Sequence, residues 1–129
     1  MPHARRWFAI LALAPAIALA ACGGSPPGGS APAPAGEHVG VVLTDFQVTP
    51  ADVAVNGGAV VFDVSNRGRT PHNLSLRDGA GHLVGHTPDL SPGRSATLPL
   101  HLAAGTYTAF CSLAGHESLG MRGMVTVGG

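Results

Sequence analysis

Lysine is missing altogether from this 129-residue chain. Its seven basic residues are all arginine, and charged residues make up only 11% of the sequence. Two of the arginines fall at the extreme N-terminus. That leaves Arg67, Arg69, Arg77, Arg94 and Arg122 against seven acids after residue 36, five minus seven, a net charge of minus two with histidines neutral. No basic cluster is present, so nucleic acid is excluded as a partner. There is no Ser-His-Asp order, no paired-carboxylate motif and no phosphate-binding loop, and hence no sign of an enzyme or of a small-molecule substrate. Cysteine occurs only at 22 and 111, too sparsely for a disulfide framework. Beyond residue 37 no long apolar pattern at helical spacing occurs, which argues against a helical bundle.

The N-terminus is a different kind of segment. Arg5 and Arg6 precede the uncharged apolar run Trp7–Ala21, "WFAILALAPAIALAA". Fifteen residues interrupted by Pro15 are short for a membrane span, which needs roughly 17–25, so residues 1–21 read as a signal peptide. The run ends in "LAAC", which resembles the lipobox of bacterial lipoproteins and implies lipidation of Cys22. After it, "GGSPPGGSAPAPAG" contains only Gly, Ser, Pro and Ala and cannot bury apolar surface. Residues 22–36 therefore read as a lipidated cysteine and a solvated tether. The expected product is exported and lipid-anchored to the cell envelope membrane, facing the periplasm or the exterior.

Residues 37–129 form one candidate domain of short β-branched runs punctuated by Gly, Pro, Asn and Asp. In "VGVVLTDF", Val39, Val41 and Leu43 share a face; in "AVVFDVSN", Val60, Phe62 and Val64 alternate with Val61, Asp63 and Ser65. Further runs are "HNLSLRD" (72–78), "HLVGH" (82–86), "RSATLPLHL" (94–102), "AAGTYTAFC" (103–111) and "GMVTV" (123–127). Pro99 marks its run as an edge or a strand end. About seven to eight short strands, with turns roughly every eight to twelve residues, predict an all-β sandwich or small barrel.

Cys111, His116 and Met121 are spaced C-x4-H-x4-M between the end of one expected strand and the start of the last. A tight loop of this kind can turn a thiolate, an imidazole and a thioether toward one centre. Two histidines, a cysteine and a weak axial methionine suit a copper electron-transfer site. The second histidine must come from elsewhere, and His72 in "TPHNLSL", 39 residues before Cys111, can supply it. Taken singly, each has a plain structural role: Cys111 as a small core residue, His72 at a turn or strand edge, His116 on a loop, Met121 as filler. Together they explain why an unpaired thiol is carried into an oxidising compartment. Met124 competes with Met121, but strand alternation sets it with Thr126, while Met121 lies in the loop between Gly120 and Gly123. His38, His82, His86 and His101 read as surface histidines, with His82 and His86 offering at most weak metal binding.

"PHN" at 71–73 and "YTAFCSLAGHESLGMRGMVTV" at 107–127 resemble the two ligand segments of the cupredoxins, the type 1 (blue) copper proteins of the plastocyanin and azurin class. The resemblance implies a Greek-key β-sandwich binding one copper ion that cycles between Cu(II) and Cu(I). It implies His72, Cys111 and His116 as equatorial ligands, Met121 as the weak axial ligand, and Asn73 as the brace of the cysteine loop. It also implies redox protein partners docking near His116, with Leu113, Ala114 and Leu119 around it. The function expected is single-electron transfer from a membrane tether. A copper carrier or store without redox duty is the alternative; Met-rich or His-rich tracts would favour it, and the domain has none.

Overall fold

The computed structural model describes residues 35–129; the expected signal peptide, lipobox and nearly all of the tether lie outside the described residues. The described chain is all β. Its strands are β1 (Glu37–Thr44), β2 (Gln47–Thr49), β3 (Asp52–Val55), β4 (Gly58–Asn66), β5 (Ser75–Arg77), β6 (Leu83–His86), β7 (Ser95–Leu102), β8 (Gly105–Phe110) and β9 (Arg122–Val127). They form a four-stranded sheet, order β2-β1-β4-β7, and a five-stranded sheet, order β3-β9-β8-β5-β6. Both sheets are mixed: β1 runs parallel to β4 and β3 parallel to β9, and the other pairings are antiparallel.

The period-2 patterns position the core. Val41 and Leu43 of β1, Val60, Phe62 and Val64 of β4, Leu76 of β5, and Val125 and Val127 of β9 are all buried between the sheets. Burying each such side chain contributes roughly 1.5–3 kcal/mol, enough collectively to order short strands that would not hold alone. Pro99 falls within β7, an edge strand, where its missing N–H disrupts no inner ladder.

Three expectations are corrected. Nine strands are present against the seven to eight or so expected, the additional one being the three-residue β2. The strand expected from residue 72 begins only at Ser75. His72 instead makes an isolated bridge to Leu90, donating its N–H to the Leu90 carbonyl at 3.1 Å and accepting the Leu90 N–H at 2.7 Å. Val61, which the half-buried alternation of β4 sets on the face opposite Val60, Phe62 and Val64, is also buried.

Candidate metal centre

The two ligand segments arrive at one end of the sandwich by different means. Cys111 directly follows β8 and Met121 directly precedes β9, so both sit where an antiparallel pair opens into a loop. The Cys111 N–H donates to the Met121 carbonyl at 3.1 Å, closing the neck of that loop. The Met121 N–H donates to the His116 carbonyl, and the His116 N–H to the Leu113 carbonyl, each at 3.1 Å. Backbone hydrogen bonds thus tie the three residues of the C-x4-H-x4-M spacing to one another.

His72 is delivered by the loop after β4, and Asn66 shapes that loop. Its buried side-chain amide donates to the carbonyls of Thr70 (2.8 Å) and Leu90 (2.7 Å), and its Oδ1 accepts the Gly68 N–H (2.8 Å). The imidazole is fully enclosed. Its Nδ1 lies 3.2 Å from His116 Nδ1, which in turn lies 3.5 Å from Cys111 Sγ. One donor atom from each of the three falls within 4.8 Å of the others, and among the described residues no other His, Cys, Asp and Glu side chains cluster in this way. Met121 is fully buried at the neck, whereas Met124 stands half exposed on β9.

The convergence has the chemistry of a cation site. Asp45 Oδ1 lies 3.2 Å from His72 Nε2, and an ionised carboxylate only accepts hydrogen bonds, so Nε2 carries the ring proton. His72 Nδ1 is the ring nitrogen that faces the second imidazole, and the two converge with the Cys111 thiol. Hydrogen bonds to Asp45 from the Arg69 backbone N–H above all, and from His72, the Arg69 side chain and Thr70, hold its carboxyl far below the usual range despite some desolvation.

Asn73 sits where the brace was expected. Its backbone N–H points at Cys111 Sγ (3.5 Å), its Oδ1 accepts the Ser112 N–H (2.9 Å), and its Nδ2 donates to Asp89 Oδ1 (2.8 Å) and Ser112 Oγ (2.9 Å). A second clamp had no sequence signal. Arg77 of β5 forms a two-pronged ion pair with Glu117, next to His116, and stacks over the Phe110 ring at 4.3 Å. Hydrogen bonding to Arg77 lowers the Glu117 pKa, and the same bond raises that of Arg77.

His116 is the half-buried member of the three, on a loop that also carries Leu113, Ala114 and Leu119. Leu119 and Ala114 are exposed and Leu113 is half-buried. Phe46, not anticipated, is also exposed and meets the His116 ring edge-on at 6.1 Å. Elsewhere, His38 pairs with Asp63, His82 with Asp78, and His86 with the Thr87 carbonyl, while His101 is exposed.

No curated protein matches the chain. Among solved structures, the dithionite-reduced auracyanin of the photosynthetic bacterium Roseiflexus castenholzii has a TM-score of 0.67 at 21% identity, covering 74% of this chain and 100% of that one. Auracyanin B gives 0.69 at 19% identity, over 77% and 94%. Auracyanin A of Chloroflexus aurantiacus, described as a "blue" copper protein, gives 0.60 at 20% identity, over 70% and 98%. Identities this low establish a shared fold. The sequence itself matches the cupredoxin-like domain family over residues 9–127, and the chain belongs to that family.

Proposed function

We propose that this protein is an electron carrier holding one copper ion. His72 Nδ1, Cys111 Sγ and His116 Nδ1 would be its principal ligands, and Met121 would supply a weaker thioether donor. The carrying observation is the meeting of those three donor atoms within 4.8 Å at a closed loop neck. A soft thiolate with two imidazoles suits copper better than hard cations do, and the fold's solved neighbours include a protein described as a "blue" copper protein. Bound there, the copper supplies one-electron chemistry between Cu(II) and Cu(I).

The chain's own residues serve that role by holding still. The buried His72, the tied loop neck and the Asn73 brace fix the donors, so little rearrangement accompanies an electron. His116 with Leu113, Ala114, Leu119 and Phe46 forms the docking face for a redox protein, a small and transient contact. Export and membrane attachment through a lipid on Cys22, with residues 23–36 as a tether, complete the proposal and rest on the sequence.

The visible spectrum after adding Cu(II) tests it. The expected result is an intense thiolate-to-copper band, reversibly bleached by reductant and lost in Cys111→Ser. A colourless protein that takes up only Cu(I) would make it a copper carrier instead, and no uptake removes both readings. Separately, Cys22→Ser should release the protein from membranes; continued tight attachment refutes the anchor.

A further inference from the structure

The turn between β1 and β2 supplies no ligand, yet it touches both histidines. Asp45 Oδ1 approaches the outer nitrogen of His72, and the Phe46 ring meets His116. Phe46 holds φ at +66°, a conformation uncommon for a residue with a side chain, and its carbonyl packs against Gly120 of the ligand loop. A Cβ on Gly120 would come within 3.0 Å of that carbonyl. The turn is thus held in an unfavourable backbone state against the loop that carries Cys111, His116 and Met121.

Asp45 itself is fixed from several directions. Its Oδ1 accepts from the Arg69 N–H (3.0 Å), the Thr70 N–H (3.3 Å) and the Thr70 hydroxyl (3.1 Å), besides lying 3.2 Å from His72 Nε2. Its Oδ2 takes the Arg69 N–H and Nε, both at 3.3 Å. Gly68 leaves room for this approach, since a Cβ there would stand 2.8 Å from both Asp45 Oδ1 and His72 Nε2. The carboxylate is therefore built onto the ring nitrogen that faces away from Cys111 and His116.

We infer that Asp45 is the positioning residue of the copper site: its carboxylate fixes His72 with the proton on Nε2, and its charge makes the imidazole a stronger donor that favours Cu(II) over Cu(I). The inference rests on the proposed copper role of His72. A negative charge hydrogen-bonded to the far nitrogen of a ligand imidazole raises the ring's basicity, and the more highly charged ion gains most from it. Asp45 keeps 23% of its side chain exposed, so solvent moderates the effect without removing it.

The test measures the reduction potential of the copper-loaded protein with and without the charge. Asp45→Asn keeps an oxygen that can accept the Arg69 and Thr70 hydrogen bonds while neutralising the group. The expected result is a roughly tenfold fall in the ratio of Cu(II) to Cu(I) affinity, a rise in potential of about 59 mV. Asp78→Asn removes the same charge at an exposed turn, where the carboxyl pairs with His82, and should leave the potential unchanged. An unchanged potential in Asp45→Asn, or an equal rise in Asp78→Asn, overturns the inference. If wild type binds copper without the thiolate band, the ligand assignment fails first, and the two failures are thereby told apart. Should Asp45→Asn not fold, the wild-type Cu(I) form decides by NMR. A His72 Nε2 proton exchanging more slowly than the ring proton of His82 supports the inference, and fast exchange refutes it.

Discussion

Removing the side chain of Asn73 should unfasten the cysteine loop while leaving every proposed ligand in the sequence. Asn73→Ala deletes the acceptor of the Ser112 N–H (2.9 Å) and the donor to Asp89 Oδ1 (2.8 Å) and Ser112 Oγ (2.9 Å). A neutral hydrogen bond contributes about 1 kcal/mol net, and one to a carboxylate about 1.5–3. Asp89 and Ser112 are exposed enough to recover water, whereas Asn73, 4% exposed, leaves a small buried gap. The balance is a loss of about 2–4 kcal/mol. For a domain of this size it lowers the thermal midpoint by roughly 10–25 °C. Thermal and urea unfolding of the metal-free protein measure it, and hydrogen exchange localises it. The Ser112 amide should exchange faster, while the Cys111 amide, bonded to the Met121 carbonyl, keeps its protection. A loss below about 1 kcal/mol, or equal deprotection of both amides, would refute Asn73 as the brace.

Glu117 has its pKa lowered from the ordinary 4.5 by its hydrogen bonds to Arg77. Because the folded value lies below the unfolded one, the stabilisation is complete above pH 4.5 and fades as pH falls below it. Glu117→Gln should cost about 0.2–1 kcal/mol at pH 7 and nothing well below the carboxylate range, read from urea midpoints across pH. Met121→Leu should raise the reduction potential and alter the visible spectrum of the copper-loaded protein, since it deletes a donor, whereas Met124→Leu on the exposed face should change neither. Gly123→Ala would put a Cβ 2.2 Å from the Ala51 carbonyl oxygen, where β9 meets the start of β3. We expect a loss of about 3 kcal/mol or more in equilibrium unfolding, and a loss under 1 would show that the strands can separate there without cost.

The parts legible in the sequence are those encoded locally. Alternation at Val39, Val41 and Leu43 marks β1 because neighbouring residues on one strand carry the whole signal. The C-x4-H-x4-M spacing is legible for the same reason: one short loop, pinned by its own backbone, contains the pattern. His72 is harder, since it is placed by a bridge to Leu90 and by Asn66 rather than by a strand of its own. Asp45 and the Arg77–Glu117 pair left no trace, because their partners lie 24 to 40 residues away and a single polar residue has no periodicity. β2 escaped detection because "QVT" has one buried residue and no room to alternate.

The sheet order also has a bearing on how the protein is made. β9 lies between β3 and β8, with Asp52 opposite Met124 and Gly105 opposite Val127. During synthesis, therefore, the five-stranded sheet stays in two pieces until residues 122–127 have left the ribosome, and β3 waits unpaired within that sheet for about seventy residues. A nascent chain halted before Arg122 already contains His72, Cys111, His116 and Met121, with β8 able to pair with β5 and β6, but lacks β9, the strand that closes the ligand loop against β8 and joins β3 to the sheet. Assembly of the site is thereby postponed until β9 has been made.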